Sequence, residues 1–295
     1  MSKLRVGLLG STGLVGQSYV KLLKGHPYFE LSFIPMRDEC AQVEKAKGCA
    51  LIFSALPNEV AETVEPLYVQ AGFPLFSSAS CHRLKEGVSL IIPEINGEIL
   101  KHWKGGMIAK PNCTLQSMLL PLYPLHLQFR LKSVAVTNLQ SMSGAGKDFT
   151  LGQNVIPYIE GEEEKSEQES LKILGAPTLP MSIHCTRVPV VHGHLACISA
   201  SFETKPTLEE VRKCWEAFPR LDLPSSPEKV FRYREENDRP QPLKDVEEGM
   251  TITLGRLRSC PLFDIRFTAL SHNLMRGAAG GGLLTAEYFA KEHLI

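Results

Sequence analysis

The sequence predicts an α/β protein in two parts: an N-terminal Rossmann-like domain with a parallel sheet, then an α+β domain. Short apolar runs alternate with helical stretches in the first third, and longer β-rich runs fill the chain from about Leu131. Strand, helix and strand in alternation build a parallel sheet covered by helices. The first third predicts strands at 4–9, 31–35, 50–55, 74–77 and 106–109, and helices at 14–24 and 58–71.

The second part predicts longer strands, at 132–140, 183–190, 195–203, 250–256 and 262–270. A charged segment at 160–170 and a proline-rich segment at 219–242 interrupt them. Residues 273–282 are rich in glycine and predict a turn, and a helix is predicted at 283–290. The small side chains of that turn suit close packing against a sheet or a nucleotide.

Composition argues against several classes of protein. The 295 residues carry 32 basic and 32 acidic side chains, so a nucleic-acid partner is not indicated. No apolar run reaches the roughly 18 residues of a membrane span, and the N-terminus lacks a signal-peptide pattern. The eight cysteines include no Cys-x-x-Cys pair, which favours reduced thiols over a zinc site or disulfides. We therefore expect a cytoplasmic protein with no membrane partner.

A glycine-rich turn follows the first predicted strand. Gly10, Gly13 and Gly16 form a variant of the dinucleotide fingerprint. The first glycine permits the tight turn, the second lets backbone approach a pyrophosphate, and the third lets the helix pack on the strand. An ordinary strand-to-helix turn is the alternative, but the position between a strand and a helix favours a cofactor site.

Cys113 lies just ahead of the apolar stretch 115–122, which predicts the start of a helix. Unpaired backbone N–H groups and the helix dipole favour the thiolate there, and the thiolate is the nucleophilic form. An inert packing residue is the alternative reading of any single cysteine.

Ten motifs, taken together, resemble the aspartate-semialdehyde dehydrogenase family, particularly its archaeal and fungal branch, over most of the chain. They are Gly10–Gly16, Phe53–Pro57, Ser80–Arg83, Ile91–Glu94, Pro111–Thr114, Gln140–Gly146, Asn154–Pro157, Glu162–Lys165, Arg187–Val190 with Gly193 and His194, and Asn273–Gly280. The family uses NADP and interconverts L-aspartyl 4-phosphate and L-aspartate 4-semialdehyde through a cysteine thioester. That step leads to diaminopimelate, lysine, threonine and methionine.

The resemblance implies two functional domains. Residues 1–112 would form the NADP-binding Rossmann-like domain, completed by the C-terminal helix at 273–295. Residues 113–272 would form the catalytic and dimerisation domain. A homodimer or homotetramer through the sheet of the second domain is expected.

The resemblance also implies three catalytic residues. Cys113 would be the nucleophile and Gln140 would position the acyl group. His194 would handle protons, which suits an imidazole whose pKa lies near neutrality. Two alternatives for His194 remain open: a buried structural histidine, or a metal pair with His192, although no third ligand at matching spacing is present and no metal is expected.

Substrate recognition calls for cations, because the ligand carries a carboxylate and a phosphate. By resemblance Arg187 would clamp the α-carboxylate, a role its planar fork suits. Arg83, Asn112 and Lys165 would contact the phosphate, and Glu162 would pair with the substrate ammonium. From the residues alone, 162–165 equally predicts an exposed helix start with charge pairs three residues apart.

The residues expected to bind the cofactor, by fingerprint and resemblance, are Gly10, Ser11, Thr12, Gly13, Leu14, Val15, Arg37, Ser143, Gly144 and Asn273. The chain departs from the family at 36–48, where relatives carry a longer insertion. Arg37 could pair with a 2′-phosphate, but Asp38 could instead bind ribose hydroxyls, so NADP is expected with NAD left open. Ser78 is a second departure, at a position where relatives often have asparagine.

The spacing of Arg187 and His194 sets a geometric test. Seven residues of continuous strand would separate them by about 23 Å and place them on opposite faces. Pro189 and Gly193 lie between them, and both residue types interrupt strands. We therefore predict a turn or bulge within 190–193 that brings the two side chains together.

Two other functions remain as alternatives. N-acetyl-γ-glutamyl-phosphate reductase runs the same cysteine chemistry, but Glu162 would have no ammonium to bind on an acetylated amine. A non-catalytic nucleotide-binding member of the family would explain the short 36–48 segment. Such a protein need not keep Cys113, Gln140, Arg187 and His194.

Overall fold

The computed structural model describes residues 3–246 and 249–295. The strands are β1 Leu4–Leu9, β2 Phe29–Phe33, β3 Leu51–Ser54, β4 Leu75–Ser77, β5 Ser89–Leu90, β6 Met107–Ala109, β7 Leu131–Gln140, β8 Met181–Arg187, β9 His194–Phe202, β10 Phe231–Arg234, β11 Ile252–Ser259 and β12 Ile265–Ser271. The helices are α1 Leu14–Leu23, α2 Asn58–Gln70, α3 Pro93–Asn96, α4 Leu115–Phe129, α5 Glu162–Leu174, α6 Leu208–Glu216, α7 Pro242–Asp245 and α8 Gly280–His293.

The chain divides into two compact units. The first comprises the residues up to Pro111 with Leu223–Ser225 and Ala278–Ile295, and the second comprises Asn112–Asp222 and Ser226–Gly277. Binding of the nucleotide by the first and catalysis by the second remain predictions.

The first unit is built on a six-stranded sheet in the order β2-β1-β3-β4-β6-β5, in which every pair is parallel. Its central strands are buried on both faces, which is typical of a parallel sheet between layers of helices. Tyr19 of α1 and Phe289 of α8 belong to one apolar cluster, and Tyr68 of α2 belongs to another. The Rossmann-like prediction is confirmed for this unit. The sequence missed β5, which has only two residues.

The second unit is built on a mixed sheet in the order β10-β11-β12-β9-β7-β8. Helices α4, α5 and α6 contact one face of this sheet. Burial alternates along β7 and β9 because successive side chains point to opposite faces. The side chains opposite the helices, such as Thr137 and Cys197, are half-buried or exposed. We call this side the open face.

Two sequence predictions in the second part were wrong. The strand predicted at 183–190 ends at Arg187. The turn predicted at 273–282 is largely helical, with a π-helical turn at Met275–Ala279 that continues into α8. Glycines weaken a helix in isolation, but a Cβ at Gly282 would lie 1.9 Å from the hydroxyl of Tyr19. Close packing therefore selects glycine inside this helix and overrides its low helix propensity.

Across the two described stretches of chain, no helix combines the length and apolar character needed to cross a bilayer.

Candidate active site

Sheet pairing in the second unit brings three predicted site residues to one edge. Gln140, the last residue of β7, pairs with Arg187, the last residue of β8. On the other side of β7, Leu139 pairs with Leu195, so His194 at the start of β9 lies at the same edge. β8 runs parallel to β7 and β9 runs antiparallel to it, so the end of β8 and the start of β9 both lie beside the end of β7. Residues far apart in sequence therefore meet there.

The predicted interruption between Arg187 and His194 is confirmed. Residues 188–193 form no strand, and the Val190 amide donates to the Val188 carbonyl at 2.8 Å, which turns the chain. Both side chains then approach one glycine. A Cβ on Gly144 would lie 2.8 Å from Arg187 Nη1 and 3.2 Å from His194 Cε1.

Cys113 and His194 form the central contact. Cys113 Sγ lies 3.1 Å from His194 Nε2, and the imidazole is fully buried. On the other side of the ring, Nδ1 accepts the backbone N–H of Ser141 at 3.0 Å. Since Nδ1 is an acceptor, the neutral ring carries its proton on Nε2, facing the sulfur. The ring is thus oriented to stabilise a thiolate at Cys113.

The predicted helix start after Cys113 is confirmed, because α4 begins at Leu115. Asn112 shapes the approach to it: its Oδ1 accepts the backbone N–H of Thr114 at 3.1 Å and lies 3.5 Å from Cys113 Sγ. A Cβ on Gly277 would lie 2.7 Å from the Cβ of Cys113, so only glycine fits beside the cysteine.

Arg187 provides a buried positive charge. Its side chain is 5% exposed, and Nη1 donates to the Ser141 carbonyl at 2.8 Å. Burial lowers the pKa of Arg187, while Cys113 and Glu162 act against that fall. Because the ordinary pKa of arginine lies far above neutrality, the guanidinium stays charged.

Glu162 joins two other predicted residues. Its Oε2 accepts from Asn112 Nδ2 at 2.8 Å and from Gln140 Nε2 at 3.2 Å. Glu162 is also the first residue of α5, so a helix does start at 162–165, but Glu162 and Lys165 are half-buried rather than exposed. Lys165 lies one turn later and is half-buried, with its Nζ 3.3 Å from where a Cβ on Gly161 would be.

Sequence reasoning missed Ser141 and missed a structural role for Asn273. Asn273 Oδ1 accepts from the Gly193 amide at 3.0 Å and from Ser141 Oγ at 3.2 Å. Its Nδ2 donates to Ser143 Oγ at 2.9 Å. Asn273 therefore ties the loop after β7 to the loop before His194. The only signal in the sequence was that Ser141 lies inside the motif Gln140–Gly146.

The two histidines of the alternative metal-pair reading make different contacts. His192 stacks on His272 with ring centroids 5.3 Å apart, and its Nδ1 lies 3.0 Å from Ser143 Oγ. His194 instead faces Cys113. These contacts favour a role for His194 beside the thiol.

The glycine-rich turn of the first unit fits a dinucleotide. Gly10 has φ +75°, and a Cβ there would lie 2.7 Å from the Ala55 carbonyl oxygen. A Cβ on Gly16 would lie 2.1 Å from the Gly10 carbonyl oxygen, so the helix needs glycine to pack on the strand. Gly13 caps α1, and a Cβ there would meet nothing within 4 Å. The open backbone at a helix N-terminus suits a pyrophosphate. Ser11, Thr12, Leu14 and Val15 form the rest of this turn and the start of α1.

Arg37 and Arg83 also belong to the first unit. Arg37 is exposed in a short 3₁₀ turn four residues after β2, beside Asp38. Arg83 is buried, and its Nη2 donates to the Ser78 carbonyl at 3.3 Å. The other predicted substrate residues belong to the second unit.

Comparison with known proteins supports the family suggested by the motifs. The domain families "Semialdehyde dehydrogenase, NAD binding domain" and "Semialdehyde dehydrogenase, dimerisation domain" match residues 34–103 and 122–276. The chain is similar to an aspartate-semialdehyde dehydrogenase of Archaeoglobus fulgidus, with 37% identity over 98% of this chain and 99% of the relative. A Candida albicans enzyme of the same name is 31% identical over the full length of both.

Solved structures agree. The aspartate semialdehyde dehydrogenase of Candida albicans with NADP has a TM-score of 0.89 at 29% identity, covering both chains fully. The Vibrio cholerae aspartate semialdehyde dehydrogenase II complexed with ASA has a TM-score of 0.87 at 20% identity over both full chains, which supports the fold alone. The Archaeoglobus alignment spans 340 positions, so that relative has residues that this chain of 295 lacks.

Proposed function

Because the chain belongs to the aspartate-semialdehyde dehydrogenase family, we propose that it is the NADP-dependent enzyme that converts L-aspartyl 4-phosphate to L-aspartate 4-semialdehyde and phosphate. The reaction serves the synthesis of diaminopimelate, lysine, threonine and methionine. One observation supports this chemistry above all: Cys113 Sγ lies 3.1 Å from His194 Nε2, in a ring whose Nδ1 is held by the Ser141 amide.

The covalent step uses Cys113. Its thiolate attacks the acyl carbon, a C–S bond forms, and the C–O bond to phosphate breaks, so the leaving phosphate takes one proton. A thioester splits one difficult step into two easier ones. When the thioester is reduced, the C–S bond breaks and the aldehyde leaves with the thiolate restored.

His194 and Gln140 support that step. The Nε2–H of His194 stabilises the resting thiolate, donates to the oxygen that gains charge when a tetrahedral centre forms, and takes the proton back as the carbonyl returns. Gln140 lies at the same sheet edge, where its amide can hold the acyl oxygen. A donor aimed at developing charge lowers the barrier.

Substrate binding uses the charges around this pair. The buried Arg187 clamps the α-carboxylate, and Glu162 binds the substrate ammonium. This role is supported by the hydrogen bonds that the Glu162 carboxylate accepts from the side-chain amides of Gln140 and of Asn112, the residue before Cys113. Asn112, Lys165 and Arg83 contact the phosphate.

The proposed cofactor contacts follow from the glycine fingerprint and from the family resemblance. Gly10, Gly13 and the start of α1 hold the pyrophosphate, and Arg37 selects the 2′-phosphate of NADP. Ser143, Gly144 and Asn273 are further cofactor contacts by family resemblance. When bound, NADPH supplies the hydride that reduces the thioester.

The alternatives have less support. The presence of Glu162 argues against an acetylated substrate and so against N-acetyl-γ-glutamyl-phosphate reductase. Meanwhile, the close contact of Cys113 with His194 is of no use to a non-catalytic family member. We also propose a homodimer or homotetramer through the second unit, the region matched by the dimerisation family. The location proposed is the cytoplasm, whose reducing conditions would keep the eight cysteines of this chain as thiols.

The reverse reaction tests this function. L-Aspartate 4-semialdehyde, phosphate and NADP should give phosphate-dependent NADPH absorbance, and Cys113→Ala should abolish it. Cys260→Ala, which removes a half-buried thiol after β11, should leave the rate unchanged. Activity with N-acetyl-L-glutamate semialdehyde alone would favour the sister reductase, and failure to bind either nucleotide would favour the non-catalytic member.

A further inference from the structure

Helix α5 carries a buried carboxylate that the chemistry proposed above does not use. Glu169 is 1% exposed, and its Oε2 accepts the backbone N–H of Asn112 at 2.7 Å. The two residues are 57 apart in sequence, and both belong to the second unit. Helix α5 packs on the face of the sheet opposite the open face. Because Asn112 directly precedes Cys113, this hydrogen bond restrains the backbone beside the thiol.

Helix α5 holds Asn112 at two points. Glu162 and Glu169 lie close to two helical turns apart on α5, so both carboxylates face the same way. Glu162 Oε2 accepts from the side-chain Nδ2 of Asn112 at 2.8 Å, while Glu169 Oε2 accepts from the backbone N–H. The side chain and the backbone of Asn112 are therefore restrained together by one helix.

Asn112 passes this restraint on to the thiol. Its Oδ1 accepts the backbone N–H of Thr114 at 3.1 Å and the Thr114 hydroxyl at 3.2 Å, which spans Cys113. The same Oδ1 lies 3.5 Å from Cys113 Sγ. Hydrogen bonds weaken steeply with misalignment. A shift of the Asn112 backbone would therefore disturb the 3.1 Å contact between Cys113 Sγ and His194 Nε2.

Two other carboxylates of α5 make the same kind of bond at different places. Glu163 Oε1 accepts the backbone N–H of Cys185 at 2.8 Å, and Glu167 Oε1 accepts that of Ile183 at 3.2 Å. Both of these bonds join α5 to strand β8. A bond from a backbone N–H to an ionised carboxylate is shorter and stronger than one to a neutral acceptor. Glu169 applies such a bond to the turn that carries Cys113.

We propose that Glu169 is a positioning residue for Cys113: by holding the Asn112 amide, it keeps the thiol within hydrogen-bond reach of His194. Glu169 acts through Asn112 and does not touch the substrate. The role depends on the reach of the acceptor oxygen, because a negative charge near a thiol by itself disfavours the thiolate. This proposal rests on the function proposed above, in which Cys113 is the nucleophile.

Two substitutions separate reach from charge. Glu169→Asp keeps the charge and draws the carboxylate back by one methylene, whereas Glu169→Gln removes the charge and keeps an acceptor oxygen at the same reach. The readout is the rate at which iodoacetamide alkylates Cys113 across a range of pH, followed by peptide mass spectrometry. We expect Glu169→Asp to react about tenfold more slowly than the wild type at neutral pH, because less of the thiol is thiolate. Glu169→Gln should react at close to the wild-type rate.

A matched control uses the neighbouring carboxylate. Glu167→Asp shortens the bond partner of Ile183 on the same helix, so it should loosen α5 without changing the alkylation of Cys113. In the assay with L-aspartate 4-semialdehyde, kcat of Glu169→Asp should fall about 10–100-fold, as for other displaced catalytic groups. Its KM should change less, because Arg187 is untouched. Glu167→Asp should keep both constants.

The alkylation rates decide between the alternatives. Wild-type alkylation of Glu169→Asp would overturn the proposal, and so would equal slowing in Glu167→Asp, since general loosening of α5 would then explain both. Slow alkylation of Glu169→Gln would also overturn it, and this comparison remains decisive if Glu169→Asp fails to fold. Alkylation needs no aspartyl substrate. A wild type without semialdehyde activity would therefore refute the proposed function separately from this test.

Discussion

The glycine-rich turn of the first unit and the Cys113 site of the second are specified in different ways. The turn lies within seven consecutive residues. Nearby backbone atoms leave no room for a side chain at Gly10 or Gly16, whereas a side chain at Gly13 would meet open space. The Cys113 site draws on α4, the end of β7, the start of β9 and the turn after β12. We conclude that changes at the turn should act mainly on folding and nucleotide binding, whereas changes at the site should act mainly on chemistry.

After Cys113→Ala, the largest effect is expected from His194→Gln. Loss of the imidazole should lower kcat by about 10²–10⁴, the usual contribution of a positioned acid–base group. Unfolding temperature and NADP affinity should change little, because the glycine-rich turn is untouched. Steady-state kinetics with nucleotide titration measures both. A variant that keeps wild-type kcat would remove His194 from the chemistry.

A pair of alanine substitutions tests the glycine-rich turn. Gly16→Ala should destabilise the protein by roughly 1–3 kcal/mol, because its Cβ would overlap the Gly10 carbonyl oxygen. Gly13→Ala meets open space, so it should leave stability nearly unchanged while weakening nucleotide binding. Denaturant unfolding and nicotinamide fluorescence separate the two. Equal losses of stability would contradict the distinction between a packed glycine and an open one.

Gly144→Ala tests how tightly the catalytic site is assembled. The new Cβ would displace Arg187 Nη1 and crowd His194, although Gly144 itself is exposed. We expect kcat/KM to fall roughly 10–100-fold, as small displacements of positioned groups do. Stability should be retained. Gly146→Ala is an imperfect match because Gly146 has φ +116°, so Ala145→Ser in the same loop is the better control. If activity survives unchanged, the close approach of Arg187 and His194 to this loop is not needed.

The smallest effect is expected from pH. Burial, with His192 beside it, lowers the pKa of His272 from 6.5 to about 4. Between these pH values the unfolded chain binds a proton at His272 that the folded chain does not. The contribution of His272 to the free energy of unfolding is therefore fully present above pH 6.5 and is lost as the pH drops towards 4. His272→Gln should flatten this part of the stability curve, and the exposed His184→Gln should not. Chemical denaturation across that range makes the comparison, and a parallel slope for both variants would contradict it.

The same contrast explains what sequence could predict. The turn at Gly10–Gly16 and the helix after Cys113 were predictable, because local sterics and apolar patterns determine them. The meeting of Arg187 and His194 was predictable only as a required turn at 190–193. The hydrogen bond from the Ser141 amide that orients His194 joins residues that are 53 apart in sequence. The hydrogen bond from Ser141 Oγ to Asn273, which ties two loops together, joins residues that are 132 apart. The helix through 275–282 was missed since close contacts at Gly277 and Gly282 outweigh the low helix propensity of glycine.

One measurement tests the central claim most directly. The protein is mixed with L-aspartyl 4-phosphate without NADPH, quenched in acid and analysed by peptide mass spectrometry alongside phosphate release. We predict the release of one phosphate per active site and an aspartyl group on the peptide that contains Cys113. The aspartyl group should be absent in Cys113→Ala and should form more slowly in His194→Gln. Phosphate release without acylation of Cys113, or acylation at another cysteine, would contradict the account.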